Sequence, residues 1–360
     1  MLAALFIISQ NSMAISFKAL GDLPGGSYES YACSISADGT TVVGESLSSD
    51  GLDAYVWTES GGMVGLSADT RTAYGVSADG STVAGYGRPI DGNEAFIWTQ
   101  SGGVVYLGDL EGGDYASIAM AISDDGSTVV GKGKSDNGYE AFIWTESGGM
   151  VGLGDLEGSS FSSAALGVSA DGSKVVGYGK SSNGYEAFIW SQSEGMVGMG
   201  DLDGGSFVSR AYDISADGST VVGRGRSENG YEAFMWTETD GMLGLGFLSG
   251  ATRSEASAVS ADGSVVVGSS SNQAFLWTEE TGMVSIMDLL ADAGIDMTGW
   301  DLDSVDGISD DGMILVGSAW NPDNKVEAWM VDLNPVPVPG AVWLLGSGLL
   351  GLIGIRRKKK

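Results

Sequence analysis

Apolar and polar positions alternate in short runs along most of the chain, and each run is cut off by Gly, Asp or Ser. From Ala119 the order is Ala-Met-Ala-Ile-Ser, Asp-Asp-Gly, Ser-Thr-Val-Val-Gly, a loop, then Glu-Ala-Phe-Ile-Trp-Thr. Glu-Ser-Gly-Gly and Met-Val-Gly-Leu-Gly-Asp-Leu follow. Runs of β-branched and aromatic residues separated by Asp-Gly and Gly-Gly predict four short strands, A to D, joined by tight hairpins. No run has the length or the period of an amphipathic helix, so strands without helices are expected before the C-terminal segment.

This unit recurs seven times. Its Ser-x-Asp-Gly phrase places an Asp at 38, 79, 125, 171, 217, 262 and 311, in steps of 41, 46, 46, 46, 45 and 49 residues. The Ala-[Tyr/Phe]-x-Trp phrase of strand C keeps step and ends at Trp57, Trp98, Trp144, Trp190, Trp236 and Trp277. A seventh copy, Ala328-Trp329-Met330-Val331, carries Val331 in the Trp slot. Fixed self-similarity at this period means a repeat architecture, and four strands per repeat is the blade of a β-propeller.

The strand D phrase begins at Met63, Val104, Met150, Met196, Met242 and Met283, and the seventh copy ends without one. The missing strand is found at the other end, in Phe17 to Leu23. A seven-bladed, all-β propeller closed by this N-terminal outer strand is therefore expected, since an open solenoid would leave bare sheet edges. Strand A repeats a small residue at Ala32, Ala73, Ala119, Ala165, Ala211 and Ala256, with Val305 last, as a crowded innermost strand requires. The repeated Trp and its Phe or Tyr partner are expected to fill the space between blades.

Charge narrows the partners. There are 47 acidic and 17 basic residues and no His. Five of the basic residues end the chain, leaving 12 against 47 in the body, a net of −35. That argues against nucleic acid and anionic lipid as ligands. Without His, a Ser-His-Asp or Cys-His arrangement and any imidazole metal site are excluded. The single Cys33 has no internal disulfide partner and reads as a buried thiol on strand A.

The ends read as targeting segments around a 15–334 propeller domain. Residues 1–14 are apolar up to Ile8 and end in Ser12-Met13-Ala14, the form of a signal peptide cleavage site that lacks a basic start. Residues 335–360 comprise a Pro-Val-Pro-Val-Pro run, an apolar stretch from Gly340 to Ile355, and Arg356-Arg357-Lys358-Lys359-Lys360. As a helix the apolar stretch reaches about 24 Å against a hydrocarbon core of roughly 30 Å, a marginal span with its basic end held at the cytoplasmic side.

Two resemblances follow from these residues. The tail resembles the PEP-CTERM class of sorting signals in its Val-Pro-Leu-Pro-Ala variant, matched by Val336, Pro337, Val338, Pro339, Gly340 and Ala341. Val338 stands where that variant has Leu, and the Glu of the Pro-Glu-Pro form is absent. The resemblance implies recognition by exosortase, a membrane transpeptidase of Gram-negative bacteria linked to exopolysaccharide production. It also implies transient membrane insertion of the precursor and an exported product at the cell surface or in the extracellular matrix. The body, Phe17 to Leu333, resembles the HAF-repeat extracellular proteins in its Ser-Ala-Asp-Gly turn, its Ala-Phe-x-Trp-Thr strand and its long insert from Leu289 to Trp300. The His of that family is replaced by Glu94, Glu140, Glu186, Glu232 and Glu327, with Asp53 and Gln273 in the remaining copies, so no role of that His carries over.

Candidate chemistry lies where the repeat is broken. Asp213 and Asp306 replace small or apolar residues on strand A in copies 5 and 7, and two carboxylates are what glycosidic chemistry needs. No further constellation accompanies them, so a non-catalytic protein is the favoured reading and a polysaccharide-acting enzyme its rival. Loops such as Ser135-Asp136-Asn137-Gly138 and Ser227-Glu228-Asn229-Gly230 offer calcium ligands, but Asp-Gly and Asn-Gly are also what hairpins require. The A-B and C-D turns share one face of an up-and-down propeller, and the B-C and D-A loops share the other. The second face carries Arg88, Lys132, Lys134, Lys180, Arg224 and Arg226, with Tyr139, Tyr185 and Tyr231 close behind. Such a ring suits an acidic polysaccharide; the competing reading is that the cations pair with Glu140, Glu186 and Glu232.

Overall fold

The computed structural model describes residues 15–89, 92–113, 116–158 and 160–334. The signal peptide reading at 1–14 and the sorting tail at 335–360 lie outside them. Seven four-stranded antiparallel sheets make a seven-bladed propeller, each running from strand A at the axis to strand D at the rim. Blade 1 consists of Gly25–Ile35, Thr41–Ser48, Gly51–Thr58 and Gly62–Gly65. Blade 7 takes Asp301–Ile308, Ile314–Trp320 and Val326–Asp332 from the end of the chain and Ser16–Gly21 from its start. The closing strand pairs antiparallel, with Phe17 opposite Val331 and Ala19 opposite Trp329, as expected from the missing seventh strand D.

Three repeated residues account for most of this geometry. The strand A alanines are buried to within 2% because neighbouring inner strands crowd together there. The strand B glycine faces them: a Cβ on Gly44 would lie 1.9 Å from the carbonyl oxygen of Tyr31, and one on Gly131 2.0 Å from that of Ile118. Only glycine permits that approach. The buried Ser of Ser-x-Asp-Gly does the rest. Ser123 donates to the Asp125 carboxylate and accepts from Thr128 N, and the same pattern recurs at Ser36, Ser77, Ser169, Ser215, Ser260 and Ser309.

The residue between that Ser and Asp closes the ring. Each N–H donates to the matching carbonyl of the next blade, in the order Ala37, Ala78, Asp124, Ala170, Ala216, Ala261, Asp310 and back to Ala37, at 3.0–3.2 Å. Seven backbone bonds thus form an unbroken circle at the A-B face. Farther out, Ser117 accepts from Ala95 N of the preceding blade and donates to Gly108 O, and Ser30 does the same to Ala328 and Gly21 of blade 7. The composite blade is therefore joined to its neighbour by the same staple as the others.

One expectation needs correction and another needs refinement. The insert before the last copy contains a helix, Ile286–Asp292, capped by Ser285, with Ile286 and Leu290 fully buried against blades 6 and 7. A helix of about two turns shows too few positions for its period to stand out. The filling between blades is shared by the two aromatics, but unequally: each Trp packs in or against the same cluster as its Phe or Tyr partner and is less enclosed. Tyr55, Phe96, Phe142, Phe188, Phe234, Phe275 and Trp329 are fully buried, while Trp98, Trp144, Trp190, Trp236 and Trp277 are half-buried and only Trp57 is enclosed. These tryptophans sit opposite strand D residues such as Met150 and Met196, next to the outermost strand, with nothing beyond it to cover them.

Candidate binding face and central channel

The B-C hairpins place cations directly opposite tyrosines. Lys134 faces Tyr139, Lys180 faces Tyr185 and Arg226 faces Tyr231 in the strand register. Glycines of positive φ at 138 (137°) and 230 (124°) turn two of these hairpins so that strand C begins immediately. Lys180 Nζ lies 5.8 Å from the Tyr185 ring centre, and the Arg226 guanidinium lies 5.4 Å from that of Tyr231. Lys132 is 6.0 Å from Tyr139. Backbone bonds from Ser163 N to Tyr139 O and from Ser209 N to Tyr185 O pin each tyrosine to the next blade, so these pairs sit on blade seams. Tyr139 remains 51% exposed and Tyr231 37%.

Arg210, which the repeat pattern did not single out, and Arg224, which it did, complete the arc. Arg210, on strand A of blade 5, lies 4.5 Å from the Tyr178 ring and 5.4 Å from Tyr185. Arg224 lies 4.9 Å from Tyr231 and 5.9 Å from Tyr212, and its guanidinium pairs with Glu255. Arg210 was legible as the one cation in the strand A slot before the alanine, a slot held by Tyr31, Thr72, Ile118, Ala164, Glu255 and Ser304 in the other copies. Arg88 stands apart from this arc. Asn93 occupies the tyrosine slot of blade 2, and Arg88 Nε donates to its side-chain oxygen at 2.8 Å.

The repeat glutamates serve the backbone. Glu140, Glu186 and Glu232 each accept from the N–H of a glycine at or just after the end of strand D, Gly154, Gly200 and Gly246, at 3.0–3.1 Å. In blade 7 the same slot holds Glu327, buried, which accepts from the Tyr28 hydroxyl and from Asn321 Nδ2. Among the described residues no group of three or more acidic or cysteine side chains is placed to hold a metal ion. Ser135 and Ser227 accept from the N–H of Asn137 and Asn229, the hydrogen bonding of a hairpin turn.

A channel of about 280 Å³ runs along the axis, and both strand A acids line it. They are not equivalent. The Asp213 oxygens accept from Ile214 N at 2.8 Å and from Val259 N of the next blade at 2.9 Å, so this carboxylate ties blade 5 to blade 6. Burial raises its pKa to about 6 against the pull of those two N–H groups. Asp306 accepts from Ser304 Oγ at 3.0 Å, and burial raises it to about 7. The acids acting on Asp306 are Glu255 and Asp303, and the one acting on Asp213 is Asp124. Neither Asp213 nor Asp306 is among the charges acting on the other. At the A-B mouth, Asp124 and Asp310 are also raised, first by burial and then by neighbouring carboxylates.

No family model and no curated protein matches the chain. Solved structures do. A TolB protein from Acinetobacter baumannii aligns at 11% identity and TM-score 0.46 over 85% of this chain, which spans 64% of that one. A TolB-type protein from Agrobacterium tumefaciens aligns at 14% identity and TM-score 0.45, over 73% of this chain and 89% of the other. An oligogalacturonate lyase in complex with manganese aligns at 10% identity and TM-score 0.55, covering 91% of this chain and 92% of the lyase. At such identities the likeness is one of fold.

Proposed function

We propose that this propeller is an exported, non-catalytic protein that binds an acidic polysaccharide at its B-C face. The carrying observation is the arc of cations on tyrosine rings across blades 3 to 5, with Lys180, Arg210, Arg224 and Arg226 lying over Tyr185 and Tyr231. A sugar ring needs an apolar plate to lie on, and a uronate or sulfate needs a cation beside that plate. Sorting by an exosortase-type transpeptidase through 335–360, with transient membrane insertion, would deliver the protein to the cell surface or the exopolysaccharide.

The test uses protein spanning Ile15 to Asn334 and the host's own exopolysaccharide. Retention without new chain ends is expected, with loss of about tenfold in affinity when Lys180 and Arg226 are both changed to Gln. Retention unaffected by those changes, or by neutralising Lys134 as well, removes the reading. A second reading rests on Asp306, whose pKa of about 7 suits a general acid. It predicts release of oligosaccharides that Asp306→Asn abolishes. Asp213 does not serve that reading, because both its oxygens are engaged by backbone N–H groups.

A further inference from the structure

The B-C mouth of the channel is divided by charge. Opposite the cationic arc, between blades 7, 1 and 2, lies an open pocket of about 350 Å³. It is lined by Tyr31, Tyr74 and Cys33, and its acids are Glu45 and Asp306. Tyr74 is fixed by stacking on Tyr86, ring centres 6.1 Å apart and planes within 16°. Glu45 is half-buried and accepts from the Thr72 hydroxyl. Tyr31 is tethered at 2.9 Å to Glu29, which adds a third carboxylate beside Glu45.

One polar atom nearby has nothing to bond. Tyr55 is fully buried, and its hydroxyl has no partner among the described residues. Five other copies carry Phe here, and the tip of that ring reaches the strand B glycine, as Phe96 does at Gly85 and Phe142 at Gly131. Burial raises the Tyr55 pKa, and Cys33, Glu45 and Asp306, all of which line the pocket, add to that rise, so the hydroxyl lies within reach of their charges just behind the pocket wall. An unpaired buried hydroxyl costs about 1–3 kcal/mol, so its presence in one copy alone calls for a partner.

We propose that this pocket binds a protonated primary amine. Two carboxylates and two tyrosine rings around one cavity are the complement of an ammonium ion: carboxylates supply charge-assisted acceptors and the ring faces supply cation–π attraction. The charged groups that act on Glu45 and Asp306 are other acids, Glu29 for the first and Glu255 and Asp303 for the second. Burial holds both carboxyls above their ordinary range, a cost that an arriving cation removes. An anion is repelled here, and the acidic body gathers cations around the mouth. This inference stands independently of polysaccharide binding on the opposite side.

Calorimetric titration at pH 7.5 and fixed ionic strength tests it, with blocked lysine, its neutral isostere blocked norleucine, and spermidine as probes. Binding of spermidine alone supports a free polyamine as the source, and binding of blocked lysine as well supports the side chain of a partner protein. Glu45→Gln and Asp306→Asn should each weaken binding about tenfold. Tyr55→Phe, which restores the residue of the other blades and so keeps the fold, should weaken it about three- to fivefold. The proposal is overturned if norleucine binds as well as lysine, if neither amine binds, or if all three variants bind as the parent does.

Discussion

At the scale of single residues, the same carboxylate serves opposite purposes according to its slot. The turn aspartates Asp38, Asp79, Asp125, Asp171, Asp217 and Asp262 are held below the usual range by hydrogen bonds from serine or threonine and backbone donors. Their contribution is present above the ordinary carboxylate pKa of about 4 and is lost as pH falls through the lowered values. Asp213 and Asp306 run the other way. Their folded pKa values of about 6 and about 7 mean that the fold holds protons which the unfolded chain releases above about pH 4. Stability therefore declines as pH rises from about 4 to the folded values of about 6 and about 7, and levels off above them. The thermal midpoint should peak near pH 5, and Asp306→Asn should lift the alkaline side by about 2 kcal/mol at pH 8 while changing little at pH 4.5. A parent and variant with parallel pH profiles would contradict this. The turn aspartates were legible in the sequence because Ser, Asp and Gly meet a local demand within a few residues. The stapling role of Asp213 was not, because its partner Val259 lies 46 residues away in the next blade.

At the scale of elements, strand count and closure were readable from one absence, the missing strand D of the seventh copy. The pattern held because each strand is covered by sheet neighbours of the same kind, so each copy meets the same burial. The helix Ile286–Asp292 broke the pattern and was missed, since its burial comes from blades 6 and 7 together rather than from its own repeat. The closing strand Ser16–Gly21 contributes backbone pairing, the packing of Leu20 and a carbonyl for Ser30. Deleting it leaves the strand Val326–Asp332 as a bare edge with Phe17 removed from the ring of Trp300, 4.8 Å away. The truncated protein should unfold at lower denaturant and form aggregates that light scattering detects. A monomer as stable as the parent would show that the circle of seven backbone bonds suffices to close the ring.

At the scale of the whole molecule, the repeat breaks into two electrical halves that no single copy displays. Cations lie over tyrosines in blades 3 to 5, where Arg224 also pairs with Glu255, while Glu45 and Asp306 line the pocket between blades 7, 1 and 2, and on that side Lys325 lies over Tyr28. The sequence showed the repeated cations but not this division, which depends on the ring bringing blade 7 beside blade 1. Processing belongs to this scale too. If the tail is a sorting signal, mass spectrometry of released protein should find a C-terminus between Pro339 and Ala341, and intact Lys360 in that fraction would refute cleavage. The division of charge makes a separate prediction for polyanion binding. A body of net −35 repels an acidic polymer over the screening length, which is about 30 Å at 10 mM salt and about 10 Å at 100 mM. The arc attracts it only at contact. Raising salt from 10 to about 100 mM should therefore strengthen retention by removing the long-range term, and raising it toward 1 M should weaken retention as contact pairs are screened at about 3 Å. A maximum between these limits is expected. Binding that falls steadily from 10 mM would mean that the arc dominates the field of the body, and binding that rises steadily to 1 M would mean that the cations take no part.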